Sequence, residues 1–300
     1  MEHKRKIGGV AAKRPARVVA AGPDAPAFPD FVYNGGPVIT NPQIYPVFWG
    51  SHWSDAPHQQ QAARLVQFLK DLIASDWMNI LTQYGVGGPG SGEVLAAQYA
   101  SSVPATLTDD LVHTNLQKAI DAKTIPEPPA NNTTQVIAVF LDESVGVSDS
   151  SLGVVMCEPN NDNAFGYHNY FTTSAGNNCY YSIVPALDDA CISNTCGTST
   201  SCSLSLSETQ EQRRTQVTSH ELAEMFTDPK FPTGWYGQSS DEIGDICNGE
   251  TATIAAGANT WNVQRIYSKS DDVKTNGQTY CLASAASPIP LLPGGPAVSS

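Results

Sequence analysis

The chain has no run of about 18 consecutive apolar residues, so nothing in it reads as a membrane-spanning helix. Charge is scarce too: 15% of the 300 residues are Asp, Glu, Lys or Arg, too few for a disordered polyelectrolyte, and the 41% hydrophobic content suffices for a core. Basic residues are the scarcest. Six of the 16 (Lys4, Arg5, Lys6, Lys13, Arg14 and Arg17) fall in the first 20 positions, where Glu2 is the single acid. The other 280 residues carry 28 acidic side chains against 10 basic ones, a net charge of −18. A body that acidic repels a phosphate backbone, which excludes nucleic-acid binding through the fold. The basic arm reads as a solvated leader. Its first 30 residues lack the apolar stretch of about 7–15 residues that a signal peptide needs.

Chemical motifs are missing as well. The seven cysteines form no C-x-x-C pair, which removes zinc ribbons and thioredoxin-type sites. There is no G-x-S-x-G elbow for a serine hydrolase. Gly87, Gly88, Gly90 and Gly92 follow a helix and have no Lys-Ser/Thr beside them, so they read as a plain loop and not a phosphate cradle.

The cysteines sit among Ser, Thr, Gly and Asn, the setting of disulfides in oxidising compartments. Seven is odd, so one thiol is left free or pairs with another chain. Asn131-Asn132-Thr133-Thr134 holds two overlapping glycosylation sequons. Apolar runs predict strands at Tyr45–Trp49, Val136–Leu141 and Tyr180–Val184. Three- and four-residue spacing of Leu65, Val66, Leu69, Leu72 and Ile73 predicts a helix over 57–83. A second helix is expected from Thr108, its N-cap, to Ala122, and a third from Glu208 to Phe226, closed by Asp228-Pro229. Residues 190–207 read as a disulfide-held loop. The expected organisation is a leader over 1–30, one α+β domain over 31–283 and a Pro/Gly-rich tail over 284–300.

One stretch carries chemistry: Ser219-His220-Glu221-Leu222-Ala223-Glu224, inside the third helix. Positions i and i+4 share a helix face, so His220 and Glu224 can reach one ion, with Glu221 beside them. This is the zincin pattern H-E-x-x-H with Glu in place of the second histidine. Carboxylate oxygen is a zinc ligand at about 2.0–2.2 Å, although the added negative charge also suits a harder cation such as Ca²⁺. A third ligand is expected from Asp241-Glu242-Ile243-Gly244-Asp245. Glu242 is the first choice and Asp245 the alternative, the other orienting His220. Chance produces H-E-x-x-E often. The apolar company of Leu222, Ala223, Met225 and Phe226 weighs against chance, because ionisable groups in such a helix need partners. His168, in Gly-Tyr-His-Asn-Tyr-Phe, is a candidate oxyanion donor or further ligand, and Tyr236 a candidate oxyanion donor. His52, His58 and His113 show no companions. Trp49, Trp53, Trp235, Tyr236 and Trp261 suit either a sugar platform or the core.

The stretches YNGGPVITNPQIYPVFWG (33–50), LTQYGVGGPG (81–90), VPATLTDDLVHTNLQKAI (103–120), GYHNYF (166–171), SHELAEMFTDP (219–229) and EIGDICNG (242–249) together resemble the EXORDIUM-like, or phosphate-induced, family of plants and its bacterial and fungal relatives. The resemblance implies an extracellular or cell-wall-associated protein. Combined with the motif, it gives a zincin-like domain, a mixed β-sheet with a long helix carrying HExxE. The expected activity is that of a secreted, monomeric zinc metallohydrolase. Its substrate would be a peptide or cell-wall polymer, and Glu221 would take the proton of a metal-bound water. The alternative is a non-catalytic extracellular protein whose metal is structural. Cys247 and Cys281, which flank the last strands, are expected to pair and pin the metal-binding segment.

Overall fold

The computed structural model describes residues 26–158, 164–197, 202–237 and 241–296. At its centre lies a mixed sheet. Strand β1 (Gln43–Trp49) pairs in parallel with two short segments at one edge, β2 (Glu93–Val94) and β3 (Gln98–Ala100). On its other side it pairs in parallel with β4 (Gln135–Leu141). The hairpin β5 (Tyr167–Thr172) and β6 (Asn178–Val184) completes the sheet, with β6 parallel to β4 and β5 at the far edge.

All seven residues of β4 are buried, as expected of a parallel strand covered on both faces. Val136, Ala138 and Phe140 join the core beneath α1 (Ala56–Ala74) and α4 (Gln210–Thr227). Ile137, Val139 and Leu141 face the other way, onto Val112, Leu116 and Ile120 of α2 (Asp109–Asp121). The same alternation governs β5. Tyr167 and Phe171 join the α2 layer, while His168 and Tyr170 point to the side of α4.

Local chemistry sets the helix ends. Thr108 caps α2 by accepting from Leu111 N–H. Thr209 and Gln212 close a reciprocal capping box on α4. Helix α1 is shorter than the periodicity predicts. It stops at Ala74, where the Ser75 hydroxyl donates to Leu72 C=O and accepts from Trp77 N–H, and apolar spacing resumes only in the separate turn Met78–Leu81. The expected loop at 190–207 is partly helical, since α3 (Asp189–Cys196) is capped by Asp188; residues 198–201 lie outside those described.

Three disulfides join Cys157 to Cys191, Cys196 to Cys202 and Cys247 to Cys281, the last as expected, and Cys179 is free and buried. No helix among the described residues is long and apolar enough to cross a membrane. Trp49, Trp53, Trp235 and Trp261 are core residues. Asn132 is buried, its amide held by the carbonyls of Gln135 and Asn178, so of the two sequons only Asn131 is presented at the surface. The Pro-rich end, expected as a tail, packs along the 76–84 turns through Ala285 N–H to Asp76, Ile289 N–H to Asn79 and Leu292 N–H to Gln83.

Helix α4 is buried from Arg213 to Thr227. Arg214 is enclosed, and burial pushes its guanidinium down to about 10. It donates to the carbonyls of Ala186 and Leu141 and to Gln61 Oε1, tying the helix to the C-terminal ends of β4 and β6. Arg214→Lys keeps the charge but cannot reach three divergent acceptors. It is expected to cost about 2–4 kcal/mol in urea unfolding with the m-value unchanged.

Candidate metal centre

Helix α4 carries His220, Glu221 and Glu224 past the inner face of β5 and β6. On its opposite side it is gripped by a hairpin of β7 (Thr251–Ala256) and β8 (Asn259–Gln264). Thr215 Oγ1 donates to Asn262 C=O, and Gln264 N–H donates to Ser219 Oγ. Between helix and hairpin runs the segment Asp241–Asn248, which turns as a 3₁₀ helix at Asp245–Cys247 and is fixed by the bridge from Cys247 to Cys281. These elements bring His168, His220, Glu221, Glu224 and Glu242 together, none more than 2% exposed, with Asp245 at the margin.

The cluster has two halves that share Glu224. In one, His220 Nε2 lies 3.1 Å from Glu224 Oε1, and Asp245 is the third potential ligand. In the other, His168 Nδ1 is 3.4 Å from Glu224 Oε2 and 3.4 Å from Glu221 Oε2, while its Nε2 is 3.5 Å from Glu242 Oε1. The two candidates for third ligand therefore divide: Asp245 stands with His220, and Glu242 with His168. Sequence spacing could not reveal this, because His168 comes from a strand 52 positions upstream of the motif, set there by its pairing with Ser182. The structure does not bring Tyr236 into the group. Its ring lies edge-on to Phe231 and its backbone pairs with Val32.

Two glycines let backbone close on the cluster. A Cβ at Gly244 would lie 2.7 Å from His220 Nδ1 and 2.8 Å from Glu224 Oε1, and one at Gly166 would lie 2.8 Å from Glu221 Oε1. Gly244→Ala is expected to displace His220 and Glu224 in a protein that still folds; with an ion held by these residues, metal content after dialysis should show retention weakened about 10–100-fold.

Charges in the cluster act on one another at close range. Burial opposes protonation of His168, yet Glu242, Glu221 and Glu224 outweigh it and raise the imidazole well above its ordinary value. His220 is likewise disfavoured by burial but held up at about 9, chiefly by Glu224. Glu224 goes the other way: burial would raise it, and the two histidines bring it down to about 2. Glu242 is raised, first by burial and then by Glu224, and Glu221 is raised by burial against the opposing pull of His168 and His220. Asp228 is pushed up to about 6 by burial, although the amides of Gly234 and Thr233 donate to its Oδ1.

The polar atoms are poorly satisfied by protein. Both nitrogens of His168, Nε2 of His220, both oxygens of Glu221 and of Glu242, Oε2 of Glu224 and Oδ2 of Asp228 are buried without a hydrogen bond. Such groups are rare, and most of these belong to the two adjoining sets that share Glu224, a gathering that matches what a cation needs. Imidazole with carboxylate suits zinc and harder divalent ions. Gln264, which no sequence signal marks, holds His220. Its Nε2 is 2.8 Å from His220 Nδ1 and donates to Gly244 C=O. In that orientation the neutral ring carries its proton on Nε2. An ion at Nε2 requires the amide to turn over, so that its oxygen accepts from Nδ1–H.

Among the described residues the other histidines, His52, His58 and His113, also have companions that sequence did not show. His113 Nε2 lies 2.8 Å from Tyr181 OH and 3.2 Å from Asp109, in a buried network with Tyr167 and Asn169 on the far face of the sheet. His52 and His58 meet at Glu143. Comparison of the chain with models of known families, with curated proteins and with solved structures finds no match, so any function must be argued from the site itself.

Proposed function

We propose that the protein is an extracellular zinc-dependent hydrolase of zincin-like design, acting on peptide or a related cell-wall polymer. The observation that carries this reading is the gathering of unsatisfied buried atoms from His168, His220, Glu221, Glu224 and Glu242 in one cluster, whose two potential ligand sets share Glu224, beside an H-E-x-x-E helix. His220 and Glu224, with Asp245 on one side and His168 and Glu242 on the other, would hold the ion; Glu224 belongs to both sets. Zinc bound there supplies a Lewis acid that polarises a carbonyl and acidifies water. Glu221 is the proton acceptor, since it stands beside the ligands His220 and Glu224, burial raises its carboxylate and its oxygens have no hydrogen-bond partner. Where His220, Glu224 and Asp245 hold the ion, His168 stays outside the ligand set, and its imidazole, whose protonation Glu242, Glu221 and Glu224 favour, can steady negative charge developing on the substrate. Three disulfides and an acidic surface suit an oxidising compartment outside the cell.

A second reading, an ion that is purely structural, is favoured by the sealing of the cluster, whose five core side chains are at most 2% exposed. Metal content per chain in wild type and His220→Ala tests the common premise. About one zinc in wild type, lost in the variant, supports a metal centre, and calcium at that ratio favours the structural reading. Absence of metal from both sinks both.

A further inference from the structure

A second cluster of metal-binding character lies at the C-terminal ends of β1 and β4, outside the centre described above. His52 stands in the 3₁₀ turn His52–Ser54 after β1, His58 in the first turn of α1, and Glu143 just beyond β4. His58 Nε2 is 3.0 Å and His52 Nδ1 3.6 Å from the same oxygen, Glu143 Oε2, and all three donor atoms lie within 4.8 Å of one another. A tetrahedral zinc with ligands at about 2.0–2.1 Å has edges of about 3.3 Å between them, so the two measured edges straddle the required value.

The three side chains are held, yet open to solvent. Gln210 Nε2 donates to Glu143 Oε1 at 3.0 Å, leaving Oε2 to face the histidines. Asp142 accepts the His52 N–H at 2.6 Å and also binds Ser144, which fixes the turns on either side. Trp53 stands edge-on to the His58 ring. The imidazoles are tilted at 45° with centroids 5.4 Å apart, an arrangement that lets their nitrogens converge. The side chains of His52, His58 and Glu143 are 44%, 20% and 29% exposed, so an ion can reach them from bulk water.

We infer that His52, His58 and Glu143 form a second, exchangeable site for a borderline transition-metal ion, Zn²⁺ foremost, with open coordination positions. Two imidazoles and one carboxylate are the donor set of open zinc sites, and they discriminate against Ca²⁺ and Mg²⁺, which favour oxygen. The affinity is expected to be modest. His58 Nδ1 is buried with no acceptor, so the site lacks the outer support that strengthens zinc sites about 10–100-fold. Occupancy would cross-link the start of α1 to the turn after β4, and through Gln210 to the start of α4. Gly50, Trp53, Ser54 and Gln59, chain neighbours of both histidines, line a cavity of about 540 Å³ with Tyr99 and Ser101, so a ligand-sized space adjoins the site.

The test is calorimetric titration of zinc into untagged full-length protein that retains whatever metal it purifies with. Wild type should show a reversible step of about one ion per chain. His52→Ala/His58→Ala should abolish it, and Glu143→Gln should weaken it at least about tenfold. Unfolding midpoints measured without added zinc should stay within a few degrees of wild type, since none of the three side chains belongs to the hydrophobic core. Copper(II) in place of zinc should give an electron paramagnetic resonance spectrum split by two nitrogens. The inference is overturned if wild type shows no such step, if the step survives the double histidine variant, or if calcium titrates the same site. The outcome is independent of the buried centre, whose loss in His220→Ala would leave this step in place.

Discussion

Stripping the protein with a strong chelator is expected to lower its unfolding midpoint by on the order of 10 °C, the effect growing as pH rises from about 6.5 to 9. An ion present at about a thousand times its dissociation constant stabilises the folded state by about 4 kcal/mol, and a chain of this length converts each kcal/mol into about 2–4 °C. The pH dependence follows from the histidines. His220 titrates at about 9 in the ion-free site, against 6.5 in the unfolded chain. Its protonated form therefore stabilises the ion-free fold fully below about 6.5, and that contribution is lost as pH climbs through 9. Over the same interval metal competes less with protons for the imidazole, so the bound form gains. The gap between bound and stripped protein must widen. Glu221 and Glu242 reinforce this sign, because their raised values make them harder to keep ionised without a cation. Calorimetric scans at several pH values, with and without chelator, measure the gap. A gap of zero, or one that narrows with pH, would remove the metal centre from consideration.

Glu221→Gln should separate the two readings of that centre. The amide keeps the size of the carboxylate and leaves the ligand atoms of His220, Glu224, His168, Glu242 and Asp245 in place, but it cannot accept a proton. A hydrolase that uses Glu221 as its base should lose about 10²–10⁴-fold in kcat on a peptide library while metal content stays at the wild-type value. Stability should hold or rise slightly, since burial already disfavours the Glu221 carboxylate. If wild type itself cleaves nothing and the variant matches it in metal, midpoint and every other readout, the ion is structural. If metal content falls with the substitution, Glu221 is a ligand instead of a base.

What the sequence disclosed follows the range of the interaction involved. The strands at 43–49, 135–141 and 178–184 were legible because burial writes itself into adjacent residues, and α2 because Thr108 and its two aspartates signal a helix start locally. His220, Glu221 and Glu224 were legible because one helical turn joins them. Overreach at 57–83 has the same origin: Met78–Leu81 continue the apolar spacing, and only the Ser75 hydroxyl bonds show that the chain has turned. His168 depends on the registry of β5 with β6, and Gln264 on a hairpin closing over α4. The meeting of His52, His58 and Glu143 spans 91 positions and depends on two parallel strands ending together. No local pattern encodes such encounters.

That long reach also sets when the centre can exist at all. The carboxylates of α4 are translated well before the hairpin that covers them, and His220 has no Gln264 until β8 has left the ribosome. Central strands β1 and β4 meet across some ninety residues. Folding dominated by such distant contacts is slow, and partial structures expose what the final one hides. A nascent chain halted before residue 264 would carry His220, Glu221 and Glu224 with neither lid nor tether. Maturation should therefore be a single late event, in which hairpin closure and the bond from Cys247 to Cys281 come after everything else.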